Sequence, residues 1–260
     1  MMVKVKKINA FSCYFVILLT FINLVSCKSK NYSNYEVKVT KINVNENYKS
    51  DGSIEQFIAP YRTHINKDLD SILAFCPETL DKSKGKWETN IGLFMANMTY
   101  DLANPIFENR EHKSIDICLL NHGGIRSIIP KGNVTTRTAY NVMPFENTVI
   151  VIGLSGLKIR ELAQYIISER KPHPLHGLKI HVNNKQEITK IEINNKPIDD
   201  TKIYYVATSD YLANGGDNMT FFVKSKEKYD LDYKLRNLLI DYFKKVDTIE
   251  LFSEKIVIEE

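Results

Sequence analysis

The amino-acid sequence predicts an α+β protein, a single domain with a mixed β-sheet flanked by helices. Segments with apolar residues at helical spacing are intermixed with β-branched apolar runs, without the strict alternation of an all-parallel α/β fold. About 210 of the 260 residues follow a polar N-terminal stretch, enough for one domain with a sizeable core. No internal repeat or low-complexity tract divides that length.

Residues 1–26 read as an export signal, to be set aside from fold reasoning. Lys4, Lys6 and Lys7 form a basic start, and Phe11–Val25 is an apolar core too short for a comfortable membrane span. Leu24-Val25-Ser26-Cys27 then reads as a bacterial lipobox, which predicts a lipid on Cys27 and an exported chain anchored to a membrane, facing the periplasm or the cell surface. Without the three signal lysines, the formal charge of +4 falls to about +1. No basic stripe alternates with aromatics, so nothing points to nucleic acid as a partner. Cys13 leaves with the signal. Cys76 and Cys118 remain and read as partly buried free thiols, since Cys118 sits in an apolar strand, although spacing alone leaves a disulfide between them open.

Residues 27–50, rich in Lys, Asn, Ser and Tyr, suit a tether plus a first strand in which Val37 and Val39 alternate with polar neighbours. The domain proper occupies residues 51–260. Ser53-Ile-Glu-Gln56 is a capping-box pattern that opens a helix. Its positions Ile54, Ile58, Tyr61, Ile65 and Leu69 share one face, with Pro60 as a candidate kink. A second helix follows Glu88, with Ile91, Phe94, Met95, Met98 and Leu102 at helical spacing. Ile115–Leu120 and Thr148–Leu154 read as buried strands. The helix Leu157–Arg170 carries the stripe Ile159, Leu162, Ala163, Ile166 and Ile167. Strands Ile188–Ile193 and Ile198–Thr208 flank an Asn-Asn-Lys turn, and a last helix aligns Leu235, Leu238, Leu239, Tyr242 and Val246. All of these helical stripes are predicted to face the core.

Two glycine-rich islands follow strands. Asn121-His-Gly-Gly-Ile-Arg126 comes after Ile115–Leu120, and Tyr211-Leu-Ala-Asn-Gly-Gly-Asp217 after Ile203–Thr208. Gly123, Gly124, Gly215 and Gly216 let the backbone turn tightly and come close to a ligand, with Asn214 beside them. Arg126 offers a guanidinium fork suited to phosphate, and Asp217 a carboxylate suited to a vicinal diol such as ribose. A nucleotide-sized ligand between two loops is the implied chemistry.

The islands and their surroundings resemble the C-terminal, substrate-binding domain of the 5′-nucleotidase / UDP-sugar hydrolase family. The resemblance runs in order through Glu88-Thr-Asn-Ile-Gly92, Asn121–Arg126, Tyr140-Asn-Val-Met-Pro-Phe145-Glu-Asn147, Val151–Leu162, Leu175-His-Gly-Leu-Lys-Ile, Ile193-Asn-Asn-Lys-Pro-Ile, Tyr205–Asp210 and Tyr211–Asp217. It covers roughly residues 50–245. It implies that Phe145 and Tyr211 sandwich a nucleobase, that Asn121 hydrogen-bonds the base, that Arg126 contacts phosphate and that Asp217 accepts from ribose hydroxyls. Tyr211 stands where Phe is more usual. His122 stands where glycine is common and is read as pointing to solvent. A further arginine usual before the Glu88 segment is missing; Lys84 or Lys86 would have to supply that charge.

In the resembled family, chemistry resides in a separate metallophosphoesterase domain with two divalent metals. Its ligand series of Asp-x-His, Gly-Asp-x-x-Asp, Gly-Asn-His and Gly-His-x-His does not occur in this sequence. His173-Pro-Leu-His176 with His181 offers imidazoles without a neighbouring Asp, a poor metal set. The sequence therefore predicts no catalytic or metal residue and no cofactor within this chain. It is read as the recognition half of a 5′-nucleotidase-type phosphohydrolase that works with a separate metallophosphatase chain carrying the two metals. The alternative is a stand-alone nucleotide- or nucleoside-binding lipoprotein without catalysis.

Overall fold

A computed structural model describes residues 9–24 and 37–260. It forms two compact units, residues 1–51 and residues 52–260. Cys27, the predicted lipid site, lies outside the described residues. In the first unit, helix α1 spans Ala10–Leu24. Among the described residues no helix is long and apolar enough to cross a membrane. The strand expected around Val37 and Val39 does not form: residues 37–45 are irregular and both valines are exposed. With no strand pairing to it among the described residues, alternation alone cannot satisfy a strand's backbone.

The second unit begins with helix α2 (Gly52–Leu69), followed by strand β1 (Ile72–Cys76) and the long helix α3 (Asn90–Glu111). Strand β2 (Ile117–Leu119), strand β3 (Gly132–Thr135), helix α4 (Thr136–Val142), strand β4 (Thr148–Ser155) and helix α5 (Gly156–Glu169) come next. Strands β5 (Leu175–His176), β6 (Leu178–Val182), β7 (Ile188–Ile193), β8 (Lys196–Pro197) and β9 (Ile203–Ser209) lead to the short helix α6 (Asp210–Ala213). Strand β10 (Lys228–Lys234), helix α7 (Leu235–Lys245) and strand β11 (Val257–Glu259) complete it.

The α+β class and the mixed sheet hold. The central sheet has five strands in the order β10-β4-β9-β2-β5, with β9 and β2 parallel and the other neighbours antiparallel. A second sheet has the order β11-β6-β7-β8, and β1 pairs with β3 in a two-stranded ribbon. The strand read over 198–208 is shorter, beginning at Ile203, with β8 ending before it at Pro197. The turn at Asn194–Asn195, both at positive φ, closes the hairpin of β7 with β8. The chain then breaks before β9, which joins the other sheet.

Both faces of the central sheet are buried, and side-chain alternation sorts its strands between two cores. Val149 and Val151 of β4, Cys118 of β2 and Ala207 of β9 face the core built by α3 and α7, around Phe94, Met95, Phe107, Leu238 and Phe243. Ile150, Ile152, Leu154, Ile117, Leu119 and Val206 face the other way, toward α5 and the second sheet. Helix α3 is capped by Thr89, whose hydroxyl accepts the Gly92 amide at 3.0 Å. Cys76 and Cys118 are buried free thiols. Burial pushes both pKa values up.

The stripes of α3, α5 and α7 pack as predicted, apart from the half-buried Leu102 and Val246. That of α2 does not. The helix has no buried residue; Ile54, Tyr61 and Ile65 are exposed, Ile58 and Leu69 only half-buried. Arg137 of α4 ties its end through Asp70 at 2.6 Å and Asn66 at 2.9 Å. Phe107→Ala should therefore cost about 3–5 kcal/mol in urea unfolding. Phe57→Ser with Tyr61→Ser on α2 should stay within about 0.5 kcal/mol of the parent; a loss comparable to Phe107→Ala would show that the α2 face is covered.

Candidate nucleotide-binding cleft

The topology brings three loops to one sheet edge. Strands β2 and β9 are parallel neighbours, with Cys118 opposite Ala207, so both end at the same edge. The first glycine island leaves β2 there and the second leaves β9. Strand β4 runs antiparallel to β9 with Val149 opposite Ser209, so the segment entering β4 arrives at that edge too. It carries Phe145 and Asn147.

These loops enclose an open cleft of about 360 Å³ lined by Asn121, Gly123, Gly124, Arg126, Phe145, Asn147, Tyr211 and Asp217. Phe145 is 40 % and Tyr211 46 % exposed, so neither ring plugs the core. The Arg126 guanidinium lies over the Phe145 ring at 6.0 Å. Its Nη1 donates only a long 3.4 Å bond to the Gly123 carbonyl, and among the described residues it has no carboxylate partner. At the far side Asp217 ties the islands together. Asn121 Nδ2 donates to its Oδ2 at 2.8 Å and the Tyr211 hydroxyl to its Oδ1 at 2.9 Å. A carboxylate offers about four lone-pair sites, so acceptor capacity remains toward the cleft.

Local backbone chemistry explains the glycines. A Cβ at Gly124 would stand 2.6 Å from Asn121 Oδ1, and one at Gly216 would stand 2.5 Å from the Tyr211 ring. Asp217 takes a left-handed conformation at φ 50°, which Asp adopts more readily than most residues. Asn214, Gly215 and Gly216, expected to touch the ligand, do not line the cleft. Asn214 caps α6 and accepts from Lys228 Nζ at 3.0 Å, Gly215 turns the chain at φ +89°, and Gly216 seats the Tyr211 ring. The turn needs their backbone freedom, and they spend it on framing Asp217.

Several residues that motif reading missed support the cleft from distant elements. Arg236 of α7 is buried and donates to the carbonyls of Pro144 at 3.2 Å and Phe145 at 3.3 Å. It also pairs with Glu146 and stacks on Tyr140 at 4.3 Å. These contacts fix the backbone under Phe145. Arg236 and Lys234 pull the Glu146 carboxyl down to about 2, so this ion pair is complete above the ordinary value of 4.5 and fades as pH falls toward 2. Asn147 lines the cleft and is missing from the predicted set, although its motif is part of the resemblance.

Lys82, rather than Lys84 or Lys86, is the lysine beside Arg126. It donates to the carbonyls of Ile125 at 2.6 Å and His122 at 3.3 Å, and burial together with the Arg126 charge lowers its pKa. Lys86 pairs with Glu259, and Lys84 lines a different cavity. His122 does not point to solvent: it is half-buried, its Nδ1 lies 3.3 Å from the Pro172 carbonyl, and burial lowers its pKa. The other histidines do not converge. His176 rests on Tyr100 at 4.5 Å, and His181 lies 2.9 Å from both Glu192 and Glu260. Among the described residues no group of three or more His, Cys, Asp or Glu side chains could hold a metal ion, so they do not fit a dimetal site.

Comparison with known proteins accords with this geometry. The family described as 5′-nucleotidase, C-terminal domain matches residues 73–224. An apyrase of Tabanus yao is 28 % identical over 160 residues, which are 54 % of this chain and 29 % of that protein. A trifunctional nucleotide phosphoesterase of Bacillus subtilis is 29 % identical over 191 residues, 65 % of this chain and 11 % of that protein. The chain thus spans less than a third of the length of either relative. The crystal structure of a Thermus thermophilus 5′-nucleotidase precursor shares the fold with a TM-score of 0.66 at 22 % identity, over 79 % of this chain and 42 % of that one. With most of its second unit matched, this chain belongs to the 5′-nucleotidase C-terminal domain family.

Proposed function

We propose that this chain is the nucleotide- or nucleoside-recognition half of a 5′-nucleotidase-type phosphohydrolase, acting with a separate metallophosphatase chain that supplies the divalent metals. The supporting observation is one cleft lined by two half-exposed aromatic rings, a cation without a carboxylate partner and a carboxylate on the opposite loop. In this reading Phe145 and Tyr211 stack on the base, Asn121 donates to or accepts from its edge, Asp217 accepts from the ribose hydroxyls and Arg126 takes the phosphate. The chain's contribution is to hold and orient the ligand; stacking tolerates every base, so the base preference is broad. The signal-like N-terminus and the lipobox before Cys27 support export and a lipid anchor.

Calorimetry on the purified chain tests the reading. Adenosine and AMP should bind without AMP turnover in excess Mn²⁺, and hydrolysis should appear only when a metallophosphatase chain is added. Binding with no turnover beside any such chain would instead favour a stand-alone binding lipoprotein. Turnover by the chain alone, with contaminants excluded, would reveal a catalytic site that this reading lacks. Tyr211→Ala should weaken adenosine binding by about 1–3 kcal/mol through lost stacking. Arg126→Ala should weaken AMP more than adenosine; equal losses for the two ligands would remove Arg126 from the phosphate. Arg236→Met should weaken both ligands equally, since it frees the Phe145 backbone without touching either charge, and a selective loss of AMP would contradict that role.

A further inference from the structure

Behind the cleft, α5 and the segment that leaves it reach both ligand-facing loops. His173 is only 4 % exposed, and the backbone amide of His122 donates to its Nδ1 at 3.3 Å. Tyr165 donates its hydroxyl to the Asp217 carbonyl at 2.7 Å. The two rings touch, with centroids 5.7 Å apart and an interplanar angle of 48°. A continuous path therefore runs from the Asn121 loop through His173 and Tyr165 to the Asp217 loop, on the side away from the ligand.

We propose that Tyr165 and His173 are positioning residues that set the spacing of the two ligand-facing loops, His173 by accepting the His122 amide at Nδ1 and Tyr165 by holding the Asp217 carbonyl. This role rests on the reading of the cleft as a nucleotide site. On the cleft side the loops are also joined through the Asn121–Asp217 bond, whose partners are the ones read as ligand contacts. The Tyr165–His173 pair keeps the gap fixed when that bond is shared.

The contact dictates a protonation state. Nδ1 can accept only when it carries no proton, so the ring is neutral with its hydrogen on Nε2. Among the described residues Nε2 has no hydrogen-bond partner. The groups facing the ring are Tyr165 and Glu169 from α5, Lys171 from its own segment, His122 from the first loop and Asp217 from the second. Burial outweighs the acids among them and lowers the His173 pKa to about 4. Burial likewise raises Tyr165 to about 12, so its hydroxyl stays a donor at neutral pH.

The test combines variants with a ligand-free readout. His173→Ala and Tyr165→Phe in the full chain should each weaken adenosine binding about three- to tenfold, the worth of one hydrogen bond. His173→Asn, whose amide oxygen can stand where Nδ1 accepts, should restore affinity to within about twofold. Nitrogen NMR of the unliganded parent should show His173 as the neutral Nε2–H form at pH 6, and the His122 amide should exchange faster in His173→Ala than in His173→Asn. The role is overturned if His173→Asn is as weak as His173→Ala, if Nδ1 carries the proton, or if the His122 amide exchanges alike in parent and His173→Ala. If the parent binds neither adenosine nor AMP, the nucleotide reading fails, while the tautomer and exchange data still decide whether the pair holds the loops.

Discussion

The parallel pairing of β2 with β9 is the constraint on which the cleft depends. Residues 121 and 217 are separated by 96 positions, yet a 2.8 Å hydrogen bond joins their side chains because their strands end side by side. Strand β4 then has to run antiparallel to β9 for its entering segment to place Phe145 at the same edge. The register is held by burial on both faces. A one-residue slip of β2 would exchange Cys118 with Ile117 and Leu119 between the two cores. It would also carry Asn121 away from Asp217. Site geometry and core packing are therefore set by the same hydrogen-bond ladder.

The cleft uses side chains that are exposed at the tip and held at the root. Phe145 is anchored through its backbone by the buried Arg236, and the Asn121 loop through its carbonyls by Lys82. Asp217 stands in a left-handed turn that Gly215 and Gly216 permit. A buried guanidinium is tolerable here because two carbonyls, a carboxylate and an aromatic face surround it. Such preorganisation lowers the ordering cost of binding, and that cost, more than contact area, separates weak from tight sites.

Much of the fold was legible because α3, α5 and α7 each carry a period that burial demands, and β4 carries the unbroken apolar run of a strand buried on both faces. The stripe of α2 carries the same period without the burial. Periodicity reports a face and not what covers it, so no reading of spacing could have told α2 from α3. The polar run Asp199-Asp-Thr-Lys202 marks the break between β8 and β9, whereas the change of sheet across it is a tertiary event that spacing does not report. In the cleft, Asn121, Arg126, Phe145, Tyr211 and Asp217 were legible as motif residues. Asn214, Gly215 and Gly216 shared their motif and turned out to frame it. Arg236, Lys82, Tyr165 and His173 carried no local signal, since each acts on a loop that lies far from it in sequence.

The arrangement also bears on the proposed division between recognition and bond cleavage. In the proposed reading, the residues that line the cleft hold a ligand through shape, stacking and fixed charge. Behind the cleft, Tyr165 and His173 are held by burial in forms that do not change near neutral pH. A site of that kind is finished when the ligand is seated. For the proposed partner, the end of the cleft beside Arg126 is reachable from outside, because Arg126 itself is exposed.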